Sequence, residues 1–537
     1  MLITPEENQL IVSFQNTLYL RRYFNFEQEL SSQLSDRIKT TEQFSLDAIK
    51  EMLASLFAPT DAELNTTDVK EVDWQKVAVA NALNKNFTVI AGGPGTGKTY
   101  TVTKLLAALV GLQLQQLDNG EIANLSKFAL VAPTGKAAQR LSESIKAAVN
   151  QFQGVIAQDI LSNIPTQALT IHRLLGYIPY QNNFRHDQNN RLDLDFLLID
   201  EASMVDLPLL TRVFRALPLH CKVVLLGDAD QLPSVAVGSV LADIAPRPHP
   251  GVSIANQQYL STIIGERLPS SKKQSADHLT FLLKSRRFDG EGGIGKIAKA
   301  VIAGEADKSW QLLAKSEKTS GLTLINHHGD KSLLAQLRPY IEQYYLPLFN
   351  AKSVEQAFSL LSQFRMLAAT RVGASGIDAI NELCRQLFIN KGFIPSHQTL
   401  YHAMPIIINE NHHKLGIYNG DVGVIWRNEA GHLVAMFEQT PERENNFQAF
   451  KQVLPSRLPE YEAVYAMTIH KTQGSEFEHV LLVNPENSDN KLLSRELLYT
   501  GITRAKKELT VLSYQNVWRQ GVENQVKRFS NLSITHN

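Results

Sequence analysis

The chain has little of several features that define other protein classes. Its 537 residues include two cysteines, Cys221 and Cys384, which are far apart and form no metal-like cluster. This scarcity argues against a disulfide framework or a zinc site and points to a reducing compartment. The sequence also lacks an apolar run long enough to cross a bilayer, and its N-terminus lacks the features of a signal peptide. We therefore expect a cytoplasmic protein without a membrane partner.

An excess of charge of one sign is also missing. Lys and Arg together number 53, as do Asp and Glu, so the formal net charge is zero. A global basic field is thereby excluded, and any contact with nucleic acid has to come from a local groove. The length exceeds what one hydrophobic core usually organises, which predicts two or more domains.

What the sequence does contain is a series of short, continuous apolar runs separated by helical patterns. Such runs are typical of parallel strands buried on both faces, so we predict an α/β, doubly wound architecture. In the first half the runs are FTVIAG, FALVAP, FLLID and KVVLLGD. We predict a first domain over residues 71–250, with a small insertion at about 142–192, ending at the Pro-rich APRPHPG. Residues 1–70 are predicted to form a polar, helical N-terminal region.

A second α/β pattern is predicted over residues 251–537, with the strand candidates GLTLIN, RMLAAT and HVLLVN. Between the last two, at about 390–460, short β-rich runs are joined by an Asn-Gly-Asp turn in LGIYNGDVGVIW. This pattern of short β-rich runs predicts a small β-barrel inserted into the second domain.

The segment GGPGTGKT matches the phosphate-binding pattern G-x-x-x-x-G-K-[ST] in full, between a predicted strand and a predicted helix. Glycines at these positions let backbone N–H groups point at phosphates, and the helix N-terminus adds a favourable dipole. We therefore expect ATP as cofactor, with Lys98 reaching the β- and γ-phosphates and the Thr99 hydroxyl holding Mg²⁺. The residues predicted to contact the nucleotide here are Gly92, Gly93, Pro94, Gly95, Thr96, Gly97, Lys98 and Thr99.

Carboxylates suited to the metal and to the attacking water follow a later apolar strand, in LLIDEAS. Asp200 is placed to hold Mg²⁺, and Glu201 beside it is the candidate general base. Without the P-loop, a solvated acid pair at a strand end would explain both residues. Gln231 in GDADQLPSV is a candidate sensor of the γ-phosphate, and Gln75, upstream of the P-loop, is a candidate for reading the adenine edge.

Hydrolysis between two lobes also needs positive charge that stabilises the transition state. The candidates are Arg287 in KSRRF and Arg504 in LLYTGITRAKK. Arginines on helices are mostly surface charges, so the residues alone leave a solvated role open for both.

The ordered motifs GGPGTGKT, APTGKAAQRL, TIHRLLG, DEASMVD, GDADQLPSVAVGSVL, KSRRF, YAMTIHKTQGSEF and LLYTGITRAKK resemble the motif series of superfamily 1 helicases. Through LRRYFNFE, IYNGDVGV and NSDNKLLSRELLYTGITRAKK the chain resembles, more narrowly, the RecD family, the α subunits of exodeoxyribonuclease V (the RecBCD enzyme). The resemblance covers nearly the whole chain from about Leu18 onward. It implies two RecA-like domains with ATP in their cleft, an SH3-like barrel in the second, and 5′→3′ DNA helicase activity in double-strand-break repair and recombination.

The same resemblance implies further residue roles. Arg287 and Arg504 are expected to act as finger arginines, and Glu476 in QGSEF to help hold the ribose or order the cleft. Single-stranded DNA is expected to cross both domains, held by short side chains that bind its backbone without reading sequence. The expected DNA contacts are Thr134, Lys136, His172, Thr468, His470 and Lys471. Each histidine, taken singly, is better explained as a structural hydrogen-bonding group.

The partners implied by the resemblance are DNA, as single strands and duplex ends, and RecB-like and RecC-like subunits in a heterotrimer. Nuclease activity is expected in another subunit, since no cluster of acids with a lysine resembles a nuclease metal site. The aromatic and basic segment LYLRRYFNFEQEL predicts a partner contact through Tyr23, Phe24 and Phe26, because aromatic residues and arginine are enriched at interfaces. Packing of this segment on the chain's own first domain is the alternative.

Three features depart from the family pattern. The P-loop begins at Gly92, after a shorter N-terminal region than is usual, so part of the partner surface is expected to be missing or reduced. YHAMPIIIN stands where a Gly-Arg-Pro sequence is usual, which puts in doubt a DNA or partner contact made by that arginine. KSRRF has Arg286 where an aromatic residue is usual.

Two other functions stay open at the level of sequence. One is a stand-alone 5′→3′ helicase of the same superfamily, which a long N-terminal helical array would support and this chain does not show. The other is a P-loop ATPase that works as a structural switch without moving along DNA. The arginine and DNA-contact motifs argue against the switch, and DNA-stimulated ATP turnover would distinguish the two.

Overall fold

A computed structural model describes residues 10–38, 44–58, 72–122, 124–178, 181, 183–234, 238, 240–266, 268–271, 275–285, 292–316, 321–326, 332–439, 449–486, 492–526, 530 and 532, with the backbone alone at 326 and 413. The chain divides into two compact units. The first comprises Met1–Ala229, Pro233–Arg287 and Lys527–Asn537, and the second comprises Asp230–Leu232 and Phe288–Val526.

The N-terminal region begins with a β-hairpin. Strand β1 (Ile11–Phe14) pairs antiparallel with β2 (Thr17–Leu20) through the turn residues Gln15 and Asn16, whose φ angles are 47° and 62°. Two positive φ values are typical of the type I′ turn, whose twist matches that of paired strands. The prediction of a helical region is wrong here, because strands of four residues joined without a glycine carry little signal in the sequence. Helices 21–37 and 46–56 follow.

The helix Arg21–Arg37 packs on the first unit. Leu30 and Leu34 are fully buried in one of its cores. Phe26 packs against the same core, and the guanidinium of Arg215 lies 5.3 Å from the centre of its ring. Packing on the chain's own first domain is therefore the correct reading for Phe26.

A six-stranded parallel sheet forms the centre of the first unit, with the order β5-β4-β6-β7-β3-β8. Its strands are β3 (Phe87–Gly92), β4 (Phe128–Ala132), β5 (Ala168–Thr170), β6 (Phe196–Ile199), β7 (Lys222–Gly227) and β8 (Leu279–Leu282). Side chains of β3 alternate between two cores, with Phe87 and Val89 in one and Ile90 in the other. Both faces of the sheet are thus covered, which explains why the apolar runs are continuous.

Helices cover this sheet on both faces. After helix 46–56 they are Trp74–Leu83, Lys98–Asp118, Gly135–Gln151, Gln158–Ser162, Ile171–Leu175, Leu207–Ala216, Val240–Ile244 and Ile254–Ile264. Across the described part of the chain, no helix combines the length and the apolar character needed to span a membrane.

The first unit extends beyond the boundary predicted near residue 250. Strand β8 pairs with β3, Leu279 opposite Val89, so the Pro-rich segment is a connection within this unit. The insertion predicted at about 142–192 also differs, because β5 lies inside that range and pairs with β4 at the edge of the sheet. Strands of three and four residues are too short to be recognised from their apolar character alone.

The chain returns to the first unit near its C-terminus. Leu532 is 7% exposed and lies in the same core as Leu30. Ser530 Oγ donates a hydrogen bond to Glu27 Oε2 at 3.1 Å. Parts of the first unit therefore flank Phe288–Val526 on both sides in the sequence.

The second unit contains two sheets. Its strands are β9 (Leu322–Asn326), β10 (Phe364–Ala368), β11 (Pro405–Ile408), β12 (Val422–Arg427), β13 (Leu433–Glu438), β14 (Phe450–Val453), β15 (Tyr461–Ala463), β16 (Ala466–Thr468), β17 (Phe477–Val483) and β18 (Ala505–Ser513). The main sheet is parallel, with the order β16-β10-β17-β18-β9. Its helices are Gly293–Ile302, Ala306–Ala314, Leu333–Tyr344, Leu346–Phe349, Val354–Gln363, Ile377–Asn390, Arg495–Ile502 and Gln515–Glu523.

The second sheet is inserted between β10 and β16. It is antiparallel, with the order β14-β13-β12-β11-β15. Within the described residues, β14 and β15 form its two edges and do not pair with each other. Strand β15 ends two residues before β16 begins, so the inserted sheet leads directly into the main sheet.

Candidate functional site

The phosphate-binding segment joins β3 to the helix Lys98–Asp118 in the first unit. Gly95 and Gly97 have φ angles of 74° and 82°, which L side chains rarely adopt. A Cβ atom on Gly97 would also lie 2.5 Å from Nε2 of Gln75. These constraints explain the glycines physically, because the loop has to turn tightly to aim its N–H groups at a phosphate.

Lys98 begins the helix and folds back over the loop. Its Nζ donates to the carbonyl oxygens of Gly92 and Gly93, at 2.7 and 3.2 Å. A phosphate oxygen is a stronger, charged acceptor and would compete with these carbonyls for the ammonium. The side chain is therefore held where a nucleotide phosphate would need it.

Two side chains from elsewhere in the first unit also bind the loop backbone. Gln75 Nε2 donates to the carbonyl of Thr96 at 3.2 Å, and Ser285 Oγ donates to the carbonyl of Pro94 at 3.0 Å. Ser285 belongs to the KSRRF motif, so the start of that motif lies at the P-loop. Arg287, two positions later, lies outside the described residues.

Asp200 and Glu201 follow β6, at the same edge of the sheet as the P-loop. Glu201 has a φ of 49°, a backbone conformation that is uncommon without glycine and clusters at functional sites. Burial, together with repulsion from Glu201, raises the pKa of Asp200 to about 7, although the Lys98 ammonium opposes the shift. The structure thus brings the predicted lysine and the predicted carboxylates together.

A divalent cation fits this group of residues. The Thr99 hydroxyl and the Asp200 carboxylate are hard oxygen donors, the kind that Mg²⁺ prefers. A carboxylate whose charge is disfavoured by burial and by a neighbouring acid is stabilised strongly by a cation. Within the described ranges, no cluster of three or more His, Cys, Asp or Glu side chains forms a metal site by itself. Phosphate oxygens and water are the ligands with which Mg²⁺ commonly completes its coordination in nucleotide sites.

Three predicted DNA contacts follow β4 and β5, again at the carboxyl edge of the sheet. Thr134 caps the helix Gly135–Gln151 by accepting a hydrogen bond from a backbone N–H at 3.2 Å. Lys136 lies in the first turn of that helix and is half-buried. His172 lies in the short helix after β5. Because carboxyl ends of parallel strands meet at one edge, all three share that edge with the nucleotide residues.

His172 stands beside two aromatic rings. Its ring centre lies 6.4 Å from that of Tyr177 and 5.7 Å from that of Phe184. Partial burial lowers the pKa of His172, with Asp206 opposing the shift and Arg212 adding to it. The ring is therefore neutral at neutral pH, and a contact with DNA would rest on a hydrogen bond or on stacking.

In the second unit, the TIHKTQG loop follows β16. Thr468 ends the strand, and residues Ile469–Thr472 form a single 3₁₀ turn. Burial lowers the pKa of His470, so this side chain is also neutral at neutral pH. Of the predicted DNA contacts in this loop, only Lys471 carries charge.

Gln231 belongs to the second unit and is 6% exposed. The next residue, Leu232, accepts a hydrogen bond at its carbonyl from Gln473 Nε2 at 3.0 Å. Its N–H donates to Thr500 Oγ1 at 2.9 Å. The candidate phosphate sensor is thus joined to the TIHKTQG loop on one side and to the helix before Arg504 on the other.

Arg504 is 3% exposed and binds two backbone carbonyls of its own unit. Nε donates to Thr500 at 3.1 Å and Nη1 donates to Ser475 at 3.3 Å. Ser475 and the half-buried Glu476 belong to the QGSEF motif. Arg504 therefore binds the backbone on both sides of Glu476, at Ser475 and Phe477.

Lys471 has two partners that sequence analysis did not identify. Its Nζ donates to Asn409 Oδ1 at 2.8 Å and to Glu462 Oε1 at 2.7 Å. Asn409 follows β11 and Glu462 lies in β15, and these strands pair within the inserted sheet. No local pattern in the sequence signals this arrangement, because it depends on the register of two strands that are distant in the chain.

Comparison with known families gives a match in each unit. Residues 75–237 match the AAA domain family, and residues 463–512 match the UvrD-like helicase C-terminal domain. The first range contains the P-loop, Asp200 and Glu201, and its family implies ATP binding. The second contains the TIHKTQG loop and Arg504.

Curated relatives match nearly the whole chain. The RecBCD enzyme subunit RecD of Haemophilus influenzae is 36% identical, over 97% of this chain and 80% of its own length. The RecBCD enzyme subunit RecD of Mycobacterium tuberculosis is 30% identical, over 96% of this chain and 80% of its own length. A solved structure of Pif1 helicase from Bacteroides in complex with ADP-AlF3 and ssDNA is 14% identical, with a TM-score of 0.40, over 84% of this chain and 94% of that one.

Proposed function

Because the chain belongs to the RecD family of RecBCD enzyme subunits, we propose that it is the 5′→3′ motor subunit of an exodeoxyribonuclease V complex. The family match supports ATP-dependent DNA helicase activity, used on DNA ends in double-strand-break repair and recombination. The observation that carries the proposal is the P-loop lysine, Lys98, held near Asp200 and Glu201 in a chain that matches RecD relatives along its length. The 5′→3′ polarity rests on the family resemblance.

The nucleotide chemistry follows from the first unit. The P-loop N–H groups and the Lys98 ammonium bind the phosphates and stabilise charge on the transferring group. Glu201 orients the attacking water and accepts its proton. Thr99 and Asp200 would hold Mg²⁺, which when bound neutralises charge on the phosphate oxygens. Gln75, already bound to the loop at Thr96, faces the adenine edge with its remaining amide groups.

The second unit supplies the remaining proposed roles. Arg504 stabilises the transition state, Gln231 senses the γ-phosphate, and Glu476 orders the ribose. The link from Gln473 to Leu232 supports a sensor role for Gln231, because it joins this segment to the predicted DNA loop. In the first unit, the bond of Ser285 to the P-loop at Pro94 supports a finger role for Arg287, two positions later.

We assign single-stranded DNA to loops at the carboxyl edges of both parallel sheets. This position supports the assignment, since loops there carry binding residues in open α/β sheets. The contacts are backbone-directed and independent of base sequence. The proposed residues are Thr134, Lys136, His172, Thr468, His470 and Lys471.

ATP turnover in active-site variants tests the nucleotide site. Lys98→Ala and Glu201→Gln are expected to lower DNA-stimulated ATPase activity by at least about 100-fold, because positioning and electrostatics dominate phosphoryl transfer. Glu201→Gln should still bind ATP. Lys104→Met is the matched control, because Lys104 lies on the same helix and packs over the ring of Phe57 at 3.9 Å. Wild-type turnover in either active-site variant would contradict the assignment.

The N-terminal hairpin supports a RecB-like or RecC-like partner. One of its faces, with Val12 and Tyr19, is buried, whereas Ile11, Leu18 and Leu20 on the other face are 46%, 72% and 57% exposed. Ile11 lies opposite Leu20 in the hairpin, so the three side chains form one aliphatic surface. Exposed apolar surface of this kind is typical of subunit contacts. We therefore place the partner contact on this hairpin face.

The aromatic residues first predicted for this contact have other neighbours. The ring of Phe24 lies 5.4 Å from that of Phe14 and 5.7 Å from that of Tyr19. Phe24 thus holds the hairpin to its helix. Tyr23 contacts the guanidinium of Arg22, which lies 4.8 Å from its ring centre. Any effect of changing these aromatic residues on assembly would be difficult to separate from an effect on the hairpin itself.

Co-purification of the three subunits tests the hairpin surface. The double variant Leu18→Ser and Leu20→Ser should release the chain from its partners and keep its DNA-stimulated ATPase activity. Leu219→Ser is the matched control, since Leu219 is 57% exposed elsewhere in the first unit. Intact assembly of the double variant, or equal release by the control, would exclude this surface.

The family membership also supports proposals on the fold and on the cellular location. We infer that the two units are RecA-like domains and that the inserted sheet is the SH3-like barrel of the family. Parallel sheets with motif loops at their carboxyl edges support the first inference, and five antiparallel strands support the second. A cytoplasmic location is the expectation for a subunit that acts on DNA.

A further inference from the structure

We infer that Lys471 is a positioning residue that ties the TIHKTQG loop to the inserted sheet through Glu462 and Asn409. Through this tie, DNA bound at the loop would be linked to ATP turnover. The inference rests on the proposed helicase function and changes the role assigned to one of its DNA contacts. Every residue involved lies in the second unit.

Most of the N–H donors of the Lys471 ammonium are already used in hydrogen bonds. Two of its three ammonium protons have acceptors in the inserted sheet, Glu462 and Asn409. The lysine side chain is 29% exposed and that of Glu462 is 16% exposed. An ion pair at this depth is screened less by solvent than a surface pair, so it holds a fixed geometry.

Glu462 is shared between two cations. Its other carboxylate oxygen accepts a hydrogen bond from Arg371 Nη2 at 2.5 Å. Burial alone would raise the pKa of Glu462, but the bonds from Lys471 and Arg371 outweigh burial and lower it. The carboxylate is therefore ionised at neutral pH and bridges the loop after β10 to the loop after β16.

The local charge balance disfavours a phosphate at Lys471. Arg371 also faces Asp378, 3.4 Å from its Nε, so the two cations are matched by two carboxylates. A DNA phosphate would have to displace Glu462, leaving a largely buried carboxylate with one partner fewer. This charge balance therefore favours a structural ion pair at Lys471 over a contact with a DNA phosphate.

The loop is also fixed where it enters and leaves. Asn381 donates to the carbonyls of Ala463 and Ala466, both at 3.1 Å, and accepts from the N–H of Ala466 at 2.8 Å. These bonds clamp the link between β15 and β16. Near the end of the loop, Gln473 donates a hydrogen bond to the carbonyl of Leu232, next to the proposed phosphate sensor. Lys471 therefore joins the inserted sheet to the loop that binds the segment of the proposed phosphate sensor, Gln231.

Two measurements on the full-length chain distinguish a positioning role from a phosphate contact. The first is the slope of log affinity against log salt for oligo(dT), and the second is the DNA-stimulated turnover of ATP. The variants are Lys471→Met, Glu462→Gln and the double variant. Lys507→Met is the control, because Lys507 forms an exposed ion pair with Glu478 at 3.0 Å.

For a positioning role, Lys471→Met keeps the wild-type salt slope and lowers stimulated turnover by roughly five- to tenfold, at the low end of measured site couplings. Glu462→Gln causes the same loss, and the double variant loses no more than either single variant. A slope reduced by about 0.7 in Lys471→Met would identify a phosphate contact and overturn the inference. Additive losses would overturn it as well.

A milder variant tests the inference if Glu462→Gln fails to fold. Asn409→Ala removes one acceptor of Lys471 and leaves its ion pair with Glu462 in place. An unchanged salt slope with reduced stimulation supports the inference, and unchanged stimulation contradicts it. The wild-type chain is measured before any variant is compared. If DNA does not stimulate its ATPase activity, that result refutes the proposed function instead.

Discussion

Gln75 donates a hydrogen bond from Nε2 to the backbone carbonyl of Thr96, 3.2 Å away, so the residue predicted to read adenine also supports the phosphate loop. Gln75→Ala should raise the KM for ATP roughly tenfold, since it removes hydrogen bonds worth about 1 kcal/mol each. The KM for GTP should rise less, because the adenine contact is absent there. Steady-state kinetics with both nucleotides measure the difference. An equal rise would leave Gln75 with loop support alone.

The second prediction concerns Arg504. Arg504→Ala should lower stimulated ATP turnover by about 1,000-fold and change nucleotide affinity less than about tenfold, because finger arginines act mainly in the transition state. Fluorescent-nucleotide binding and turnover are measured in parallel. Arg504 is 3% exposed, so the same substitution could weaken the fold.

Arg495 provides the control for Arg504. It precedes Arg504 by nine positions, and its Nε donates to the carbonyl of Val522 at 2.9 Å, a purely structural contact. Arg495→Ala should lower the melting temperature without a comparable loss of turnover below that temperature. If both variants lose turnover in proportion to stability, Arg504 holds the unit together and has no finger role.

The third prediction concerns DNA binding at the first unit. Lys136→Ala should reduce the salt slope of oligo(dT) affinity by about 0.7, because each phosphate contact on single strands releases counterions to that extent. Lys146→Ala, on the same helix but near its other end, should leave the slope unchanged. A slope that is identical in the two variants would remove Lys136 from the DNA contacts.

The fourth prediction is a pH dependence of stability at His479. The ring accepts or donates hydrogen bonds at Tyr344 and Thr510, 3.0 and 2.9 Å away, and burial lowers its pKa to about 4. Glu508 lies 3.6 Å away, but its side chain is 62% exposed and does not offset the burial. The unfolded chain, with a histidine pKa near 6.5, therefore binds the proton first as the pH falls.

The stabilisation at His479 is complete above about pH 6.5 and is lost as the pH falls toward 4, by up to about 3 kcal/mol. Denaturant melts between pH 7 and pH 4.5 measure the loss. His479→Gln, which does not titrate, should show a shallower decline than the wild type. His432→Gln is the control, since His432 is exposed. Equal declines in His479→Gln and wild type would show that other groups carry the dependence.

The nucleotide site was predictable from sequence because its chemistry is local. GGPGTGKT and LLIDEAS each place their functional residues within a few positions, directly after apolar strands. The structure adds that Asp200 lies within the electrostatic influence of Lys98. The roles proposed for residues of the second unit were predictable only through a family resemblance, since Arg504 gives no local sign of its role.

The features that sequence reasoning missed depend on pairing between distant segments. Strand β8 joins the first sheet through β3, almost two hundred residues earlier in the chain, so a Pro-rich segment was taken for a boundary. The exposed face of the hairpin depends on the register of Ile11 with Leu20. The ion pair of Lys471 with Glu462 depends on how β15 of the inserted sheet leads into β16 of the main sheet. The composition and hydrophobic periodicity of a sequence do not show which distant segments pair, or in which register.

The return of the chain to the first unit has a consequence for proteolysis. A protease that cuts once within residues 332–439 leaves an N-terminal fragment with the P-loop and a C-terminal fragment that still carries Leu532 and Ser530. These two residues pack on the helix Arg21–Arg37 and its core, so each fragment retains contacts made by the first unit. Release of residues Phe288–Val526 as a free piece therefore requires two cuts, one on each side of this range. A single nick would be visible on a denaturing gel and invisible by gel filtration.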